Sequence, residues 1–370
     1  MTTQLARENS CRVLDRRAAL KSAAAAGLAW VGMSFVSHPS WAAQDLLVFD
    51  FTGYDVPDLH RGYIKKYGAS PAFTLYGDGD EALQKLQAGF QADLVHPGSF
   101  DVGRFRGAGL LQPWDTARLA NWPDLYPILT GTAGAVHEGK QWLVPADWGI
   151  NSVLYRTDLV DIKEESWSLL WDKRYAGKLA YGTDMYPAIA GAALALGIAN
   201  PFQATNEEFA AIRAKLTEQR PLLRFYWSDP TVLEPAMASG EVVAAWAWSA
   251  SYPTLKAQGV PVKYMLQPKE GISSWVAGFA RLKNAPGKEQ NAYDYVDAWL
   301  APESGKWMIE NYGYGHPNRK AFDLVNPKVL ADKGLDSPDK LLAHSLVNQE
   351  MTPDLHERYV RMYEEVRAGM

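Results

Sequence analysis

The sequence predicts an α/β protein of two lobes, each with a mixed, mostly parallel sheet flanked by helices, and a hinge between the lobes. Short apolar runs alternate with amphipathic segments from residue 46 onward, which is the pattern of strands alternating with helices. The alternation begins again near Trp142, and no glycine-serine linker separates the two blocks. The lobes are therefore expected to be connected by short strands, which favours a closing motion.

The first block predicts a βαβαβ unit, and hence parallel strands with helices packed on them. Its segments are, in order, LLVFDF (strand), VPDLHRGYIKKYG (helix), AFTLYG (strand), DEALQKLQAG (helix) and ADLVHP (strand). Asp80 is expected to cap the second helix and Gly89 to end it. The stretch GDGDE therefore does not indicate a calcium-binding loop, because the later acidic ligands of such a loop are missing.

The second block repeats the alternation, beginning at WLVPADWGINSVLYRTDLV. Its further segments are GKLAYG (strand), YPAIAGAALALG and EEFAAIRAKLTEQ (helices), then LRFYW and VVAAWAW (strands). The strand WVAGFARL follows, and the helices after it are KEQNAYDYVDAWL, ESGKWMIENYG and the terminal PDLHERYVRMYEEVRAG. A second α/β lobe accounts for this order.

Residues 1–42 are predicted to be an export signal that is cleaved after Ala42. A charged start precedes an apolar run, and a small-x-small end follows it. The apolar run, residues 23–36, has 14 residues, against about 20 for a membrane-spanning helix. Arg16 and Arg17 resemble a twin-arginine motif, with Ala19 where a Phe is usual, which favours Tat export to the periplasm.

Composition excludes several classes of function. The net charge of −5 gives no indication of a nucleic-acid partner. The single cysteine, Cys11, lies in the signal, so the mature chain has no disulfide, zinc-thiolate site or cysteine nucleophile. No GxSxG, HExxH, P-loop or GxGxxG motif is present, and the seven His are scattered. The sequence therefore predicts no enzyme, no metal site and no cofactor, and His137 is expected in a hairpin turn at Gly139.

A series of motifs carries a resemblance to a known family. In order they are FDFTGY, DLVHPGSF, VPADWGINSVLY, WSLLWDKRYAGKLAYGTD, SGEVVAAWAWSAS, QPKEGISSWVAGFA and GYGHPN. Each motif is weak alone, but together, from about residue 46 to the end, they resemble the spermidine/putrescine-type periplasmic solute-binding proteins of ABC transporters, which have the type II two-lobed fold. The resemblance implies a monomeric receptor that traps a small ligand by hinge closure and delivers it to the membrane permease subunits.

The resemblance also implies a domain division. The chain would cross between the lobes near Gly149 and again near Ala277. Lobe 1 is accordingly expected to comprise residues 43–147 and 277–324, and lobe 2 residues 148–276 and 325–370. The quoted motifs all follow predicted strands, and ligands of α/β sheets bind beyond the carboxyl ends of strands.

Family pocket positions in the first lobe are partly retained. At the first strand, Gly53 stands where the family has an acid. In the third βα turn, Gly98 stands where the family has a polar residue, and Phe100 stands where it has a Tyr. The pocket residues implied for this lobe are Phe51, Thr52, Tyr54, Ser99 and Phe100. Three polar groups of the family pocket are thereby lost.

Pocket positions in the second lobe keep one carboxylate. Asp184 matches the first acid of the family, whereas the second acid is replaced by Pro187. The family's Trp, Tyr and Gln are matched by Trp248, Tyr314 and Gln349.

The largest departure follows Trp275. In polyamine receptors this strand reads Trp, any residue, Asp, so that ring and carboxylate lie on one face; here the third position is Ala277. Burying an ammonium without its carboxylate costs about 3–5 kcal/mol, and an aromatic face returns about 0.5–2 kcal/mol. The ammonium groups of a linear polyamine would therefore lack enough carboxylates to balance their charge. Asp147 is the best candidate for a compensating acid, ahead of Asp50 and Asp229.

The ligand expected on these grounds has at most one ammonium and a flat or apolar body. It would lie between aromatic rings, with Asp184 or Asp147 on its charge; the rings are Phe51, Trp148, Trp227, Trp248 and Trp275. Some of these rings, or Trp246, are instead core residues if VVAAWAW buries one face. His316 and Arg319 would favour an anionic or zwitterionic ligand.

Three alternatives stay open from the sequence. The first is a true putrescine or spermidine receptor. The second is a secreted aromatic-rich enzyme such as a glycosidase, which would need a carboxylate pair that the sequence does not single out. The third is a ferric-ion receptor, for which adjacent tyrosines would be expected late in the chain, where only NYGYG occurs.

Overall fold

The computed structural model describes residues 45–335 and 338–370. The predicted signal, its cleavage point and Cys11 lie outside these residues. The strands are β1 (Leu47–Phe51), β2 (Ala72–Tyr76), β3 (Leu94–Val95), β4 (Leu111–Gln112), β5 (Val136–His137), β6 (Lys140–Gln141), β7 (Val144–Arg156), β8 (Leu179–Gly182), β9 (Leu223–Trp227), β10 (Ala244–Trp248), β11 (Val262–Tyr264), β12 (Ile272–Leu282) and β13 (Ser345–Val347). The helices are α1 (Arg61–Tyr67), α2 (Gly79–Gln87), α3 (Val102–Gly107), α4 (Pro127–Thr130), α5 (Met185–Leu196), α6 (Asn206–Gln219), α7 (Pro230–Ser239), α8 (Ser251–Ala257), α9 (Glu289–Trp299), α10 (Pro302–Tyr312), α11 (Lys320–Asp323), α12 (Pro327–Lys333), α13 (Pro338–Ala343) and α14 (Pro353–Ala368).

A mixed sheet is built around two long strands that run side by side. Its order is β2-β1-β3-β12-β7-β10-β8-β9, with β11 also on β7, and with β13 and β4 also on β12. The pairs β1/β2, β1/β3, β8/β9 and β8/β10 are parallel, as the predicted βαβ units require. Strands β7 and β12 are antiparallel to each other and connect the two halves of the sheet.

The hydrophobic core changes along both long strands. On β7, Ala146 packs in a core with β1 and α9, whereas Trp148 packs in a core with α5 and α14. On β12, Val276 belongs to the second core and Phe279 to the first. Both long strands therefore pass from one core to another, with the change at 146–148 and at 276–279, and β12 also contributes Ala280 and Leu282 to a third core.

Two local predictions can be checked against the structure. The hairpin β5–β6 is confirmed, with Glu138 and Gly139 at φ +49° and +71° in its turn. The capping residue of α2 is Asp78 and not Asp80, because the Asp78 side chain accepts a 2.8 Å hydrogen bond from the Glu81 N–H. The helix begins earlier than predicted, and Asp80 lies within its first turn.

Candidate ligand-binding site

One face of the two long strands brings together residues from two of the motifs, VPADWGINSVLY and QPKEGISSWVAGFA. Alternation places Asp147, Gly149 and Asn151 on one face of β7. Their partners on β12 are Ala277, Trp275 and Ser273, respectively. We call these six residues the site face. Side chains of directly paired residues lie on the same side of a sheet, about 5 Å apart at Cβ.

The Trp275 ring covers Gly149 and contacts a second aromatic ring. A Cβ atom at Gly149 would lie 2.5 Å from Cζ2 of Trp275, so the indole occupies the space that a side chain would fill. The ring of Tyr314 stands edge-on to Trp275, with centroids 5.0 Å apart. The neighbouring Gly315 fixes Tyr314 there, because it pairs with Trp148 through backbone hydrogen bonds of 3.1 and 2.8 Å. Glycine at 149 is therefore what lets the Trp275 ring lie flat across β7.

Trp248 extends the site face onto β10, where it pairs with Asn151. It is half-buried and contacts the buried Trp227 edge-on at 5.0 Å. Trp227 in turn packs 4.6 Å from Trp246. Trp227 has only 2 % of its surface exposed, so the prediction that its ring lines the cleft is corrected: it supports Trp248 from behind.

Trp148 does not lie on the site face, which corrects the prediction that it holds the ligand. It points to the opposite side of β7 and is fully buried. Its ring covers Gly315, where a Cβ would lie 2.0 Å from Cε2, and its indole N–H donates to the His316 carbonyl at 3.3 Å. This Trp is a core residue that anchors the segment carrying Tyr314.

Asp147 lies in a buried hydrogen-bond network. The Tyr54 hydroxyl donates to its Oδ2 at 2.6 Å, and His96 Nε2 lies 3.1 Å from its Oδ1. The other ring nitrogen of His96, Nδ1, lies 2.7 Å from Oδ1 of Asp50. Asp50, which lies within β1, is thus bonded to the side of His96 that faces away from Asp147.

Burial and charge shift the pKa values of this network. Burial alone would lower the pKa of His96, but the charge of Asp50 and hydrogen bonds to Asp147 and Asp50 outweigh it and raise the pKa to about 10. Burial raises the pKa of Asp50, against the opposing effect of His96. The pKa of the Tyr54 hydroxyl rises through burial and the nearby Asp147 charge, so Tyr54 stays a neutral donor.

The end of β1 supplies a second aromatic group. Phe51 is half-buried, with its ring centroid 4.5 Å from Tyr76 and 6.4 Å from Tyr54. Thr52 is exposed, and its hydroxyl donates to the Tyr76 carbonyl at 3.3 Å. Of the residues expected here, Phe51 and Tyr54 lie near the His96 network, whereas the Thr52 hydroxyl is directed at the backbone.

Phe100 connects the two halves of the sheet. Its half-buried ring lies 4.2 Å from Tyr186 of α5, which belongs to the second half. The preceding Ser99 is fully buried, and its hydroxyl has no hydrogen-bond partner among the described residues. These side chains place the two halves in contact beside the site face.

Asp184 is the N-cap of α5, with Oδ1 accepting a 3.1 Å hydrogen bond from the Tyr186 N–H. Water reaches its side chain, but the surrounding protein desolvates it and, with smaller contributions from Asp78 and Asp80, raises its pKa to about 6. Gln349 is half-buried, and its Oε1 accepts a hydrogen bond from Asn200 at 3.3 Å.

The residues that would favour an anionic ligand are placed elsewhere. His316 is fully buried, its Nε2 lies 3.1 Å from the Trp299 carbonyl, and burial lowers its pKa to about 4. Arg319 donates to the carbonyls of Pro123, Asp124 and Leu125. Asp229 caps α7 in an exposed position. The option of an anion held by His316 and Arg319 is therefore wrong.

A family model described as bacterial extracellular solute-binding protein matches residues 63–336. The chain belongs to this family. It is a transport receptor and not an enzyme.

Individual relatives agree with this membership. The spermidine/putrescine-binding periplasmic protein of Salmonella typhimurium is 28 % identical over 348 residues, which cover 93 % of this chain and 97 % of that protein. A putative spermidine/putrescine ABC transporter from Listeria monocytogenes has the same fold, with a TM-score of 0.76 at 18 % identity over 88 % of this chain and 99 % of that one. The PBP MotA from A. tumefaciens B6, in complex with glucopine, has a TM-score of 0.71 at 20 % identity, over 87 % and 99 %. The chain thus has the two-lobed fold of periplasmic binding proteins.

Three residues at the candidate site were not found from the sequence. His96 is fully buried below the site face, and Asn151 and Ser273 are a buried pair on it. The Asn151 Oδ1 and Ser273 hydroxyl have no partner among residues 45–335 and 338–370. The sequence offered one signal, since His96 interrupts the apolar strand ADLVHP where an aliphatic residue is typical.

Two other observations bear on the molecule as a whole. A surface cavity of about 320 Å³ lies at the far end of β12, beside Asp93, Arg281 and Gly287. It is separate from the site face.

No helix within the described part of the chain combines the length and apolar character that crossing a membrane would need.

Proposed function

We propose that this chain is the periplasmic receptor of an ABC importer and binds a small solute that carries at most one ammonium. The observation that carries the proposal is the site face, where the Trp275 ring covers Gly149, meets Tyr314 edge-on and lies on the same face as the Asp147 carboxylate. Aromatic rings beside one carboxylate can hold a cationic or zwitterionic ligand with a flat or apolar body.

Closure of two lobes would trap the ligand. We propose that lobe 1 comprises residues 43–147 and 277–324, and lobe 2 residues 148–276 and 325–370. The change of core on β7 and β12 at 146–148 and 276–279 supports hinges there. The contact between Phe100 and Tyr186, whose ring centroids lie 4.2 Å apart, would stabilise the closed state.

Ligand contacts are proposed for the half-buried and polar groups around the site face. They are Phe51, Tyr54, Ser99, Phe100, Asp147, Asp184, Trp248, Trp275, Ala277, Tyr314 and Gln349. Thr52 is proposed to contact the ligand through its backbone, because its hydroxyl donates to the Tyr76 carbonyl. Trp148 and Trp227 act as supports.

The number of available carboxylates sets the ligand charge. Asp147 already receives hydrogen bonds on both oxygens, and Asp184 caps α5 with one of its oxygens. Two terminal ammonium groups would each need a free carboxylate, since burying an unpaired charge costs about 3–5 kcal/mol. MotA, a neighbour with the same fold, was solved with glucopine, so this fold is not restricted to polyamines.

A true polyamine receptor is the second candidate, because the relatives that cover 93 % of this chain are named for spermidine and putrescine. In that case Asp147 and Asp184 would each take one end of the ligand.

We further propose export through the Tat pathway and delivery by a monomer to a membrane permease.

Intrinsic tryptophan fluorescence and thermal shift against a ligand panel test the proposal. The panel contains putrescine, spermidine, γ-aminobutyrate, a betaine and an aromatic amine. Closure on a compound with one ammonium supports the proposal, and preferential stabilisation by spermidine supports the second candidate instead. Chemical turnover of a bound compound, followed by mass spectrometry, would contradict both.

A further inference from the structure

His96 joins two buried carboxylates beneath the site face. Its Nδ1 lies 2.7 Å from Asp50 Oδ1 and its Nε2 lies 3.1 Å from Asp147 Oδ1. None of the three residues has more than 1 % of its surface exposed. A neutral imidazole has one N–H and can donate to one carboxylate only, whereas the imidazolium donates to both.

The surroundings of His96 keep water away from these charges. The rings of Phe279, Tyr54 and Trp299 lie 4.5, 5.2 and 5.7 Å from the imidazole. Two carboxylates alone in such an apolar setting would repel each other and be costly to bury. The same two carboxylates raise the pKa of His96, through the charge of Asp50 and the hydrogen bonds to both.

We propose that His96 is a built-in cation that neutralises Asp147 and thereby excludes a second ligand ammonium from the site face. Asp147 is paired with Ala277 and lies on the same face as Trp275, where an ammonium against the indole would meet it. With His96 charged, the net charge of Asp50, His96 and Asp147 is −1 in place of −2. This inference rests on the proposed function and deepens it, because it names the residue that sets the ligand charge.

The arrangement also directs the orientation of the ligand. Tyr54 and His96 both donate to Asp147, one to each oxygen, so an ammonium approaching from the cleft competes with them. An ammonium next to the imidazolium would meet a like charge. The remaining net charge of −1 balances one ammonium beside Trp275, so a second ammonium is directed away from the site face.

Exchange of His96 for neutral side chains tests the charge directly. We expect His96→Gln and His96→Leu to bind putrescine at least tenfold more tightly than the wild type at pH 8, while affinity for γ-aminobutyrate changes less than threefold. His60→Gln is the matched control, because His60 is equally buried and its Nε2 lies 2.9 Å from Ser70 Oγ, away from the site face. An unchanged ratio of putrescine to γ-aminobutyrate affinity in both His96 variants overturns the inference.

A second measurement needs no ligand, and comparison with His96→Gln identifies the His96 signals. In the wild-type protein with ¹⁵N-labelled histidine, we expect both ring nitrogens of His96 to show the imidazolium shift at pH 8. A neutral tautomer at that pH overturns the inference. Failure of the proposed function looks different, since the wild type then closes on no compound of the panel while His96 still shows the imidazolium signal.

Discussion

Gly149→Ala is the substitution that most directly tests the role of Trp275. The new Cβ would lie 2.5 Å from Cζ2, 2.7 Å from Cε2 and 3.0 Å from Nε1 of the Trp275 indole. An ordinary contact needs at least 3.4 Å, so the ring must lift by about 1 Å or β7 must shift. The backbone itself tolerates alanine, because Gly149 lies in a regular strand.

Two effects of this displacement differ in size and can be separated. Overpacking of this kind typically costs about 1–3 kcal/mol of unfolding free energy. Loss of the aromatic face from a bound cationic group removes about 0.5–2 kcal/mol, which is roughly a 2- to 30-fold increase in Kd. The expected variant is therefore folded, somewhat less stable and weaker in binding.

The assay combines urea unfolding with a fluorescence titration of the panel compound that closes the wild type. Gly107→Ala is the control, because Gly107 ends α3 and a Cβ there would have no neighbour within 4 Å. We expect this control to bind like the wild type. If Gly149→Ala binds with wild-type affinity and gives the same fluorescence change, Trp275 is not a wall of the ligand site.

Three further outcomes follow from the structure. Gly315→Ala places a Cβ 2.0 Å from the Trp148 ring, and urea unfolding should show a loss of about 1–3 kcal/mol or more; wild-type stability would contradict the core assignment of Trp148. His316 is neutral when folded, with its pKa lowered from 6.5 to about 4 by burial, against smaller opposing effects of the Trp299 carbonyl, Asp147 and Asn318. Below pH 6.5 the unfolded chain binds a proton at His316 that the folded chain does not bind, so the contribution of His316 to the free energy of unfolding falls by about 2 kcal/mol between pH 7.5 and 5. Unfolding curves at the two pH values should therefore show that the stability advantage of the wild type over His316→Gln shrinks by this amount. Phe100→Ala removes the 4.2 Å contact with Tyr186 and should raise Kd roughly 2- to 10-fold in the fluorescence titration; an unchanged Kd would mean that this pair does not contribute to closure.

The local features of the fold were predictable because they depend on short-range patterns. The βαβαβ unit from β1 to β3 and the hairpin at Gly139 both follow from residues that are neighbours in sequence. The cap of α2 was placed two residues too late, since Asp78 and Asp80 are equally good capping residues and only the backbone distinguishes them.

Candidate residues for the site could be named from the sequence, but their arrangement could not. Trp275, Tyr314 and Asp147 were identified as candidates, yet the pairing of Asp147 with Ala277 depends on the register of two strands that are far apart in the chain. The same limit explains Trp148, whose neighbour Asp147 points the opposite way on β7. The carboxylate that lies beside Ala277 therefore belongs to the neighbouring strand, at Asp147.

The cluster of Trp227, Trp246 and Trp248 gives the protein an internal optical reporter. Their ring centroids lie 4.6, 5.0 and 6.1 Å apart, close enough for the electronic transitions of the three indoles to couple. Of the three, Trp248 alone is partly exposed, but coupling spreads any change in its surroundings over all three chromophores. The near-ultraviolet circular dichroism of the unlabelled protein should therefore follow occupancy of the cleft, so that ligands can be screened without a dye.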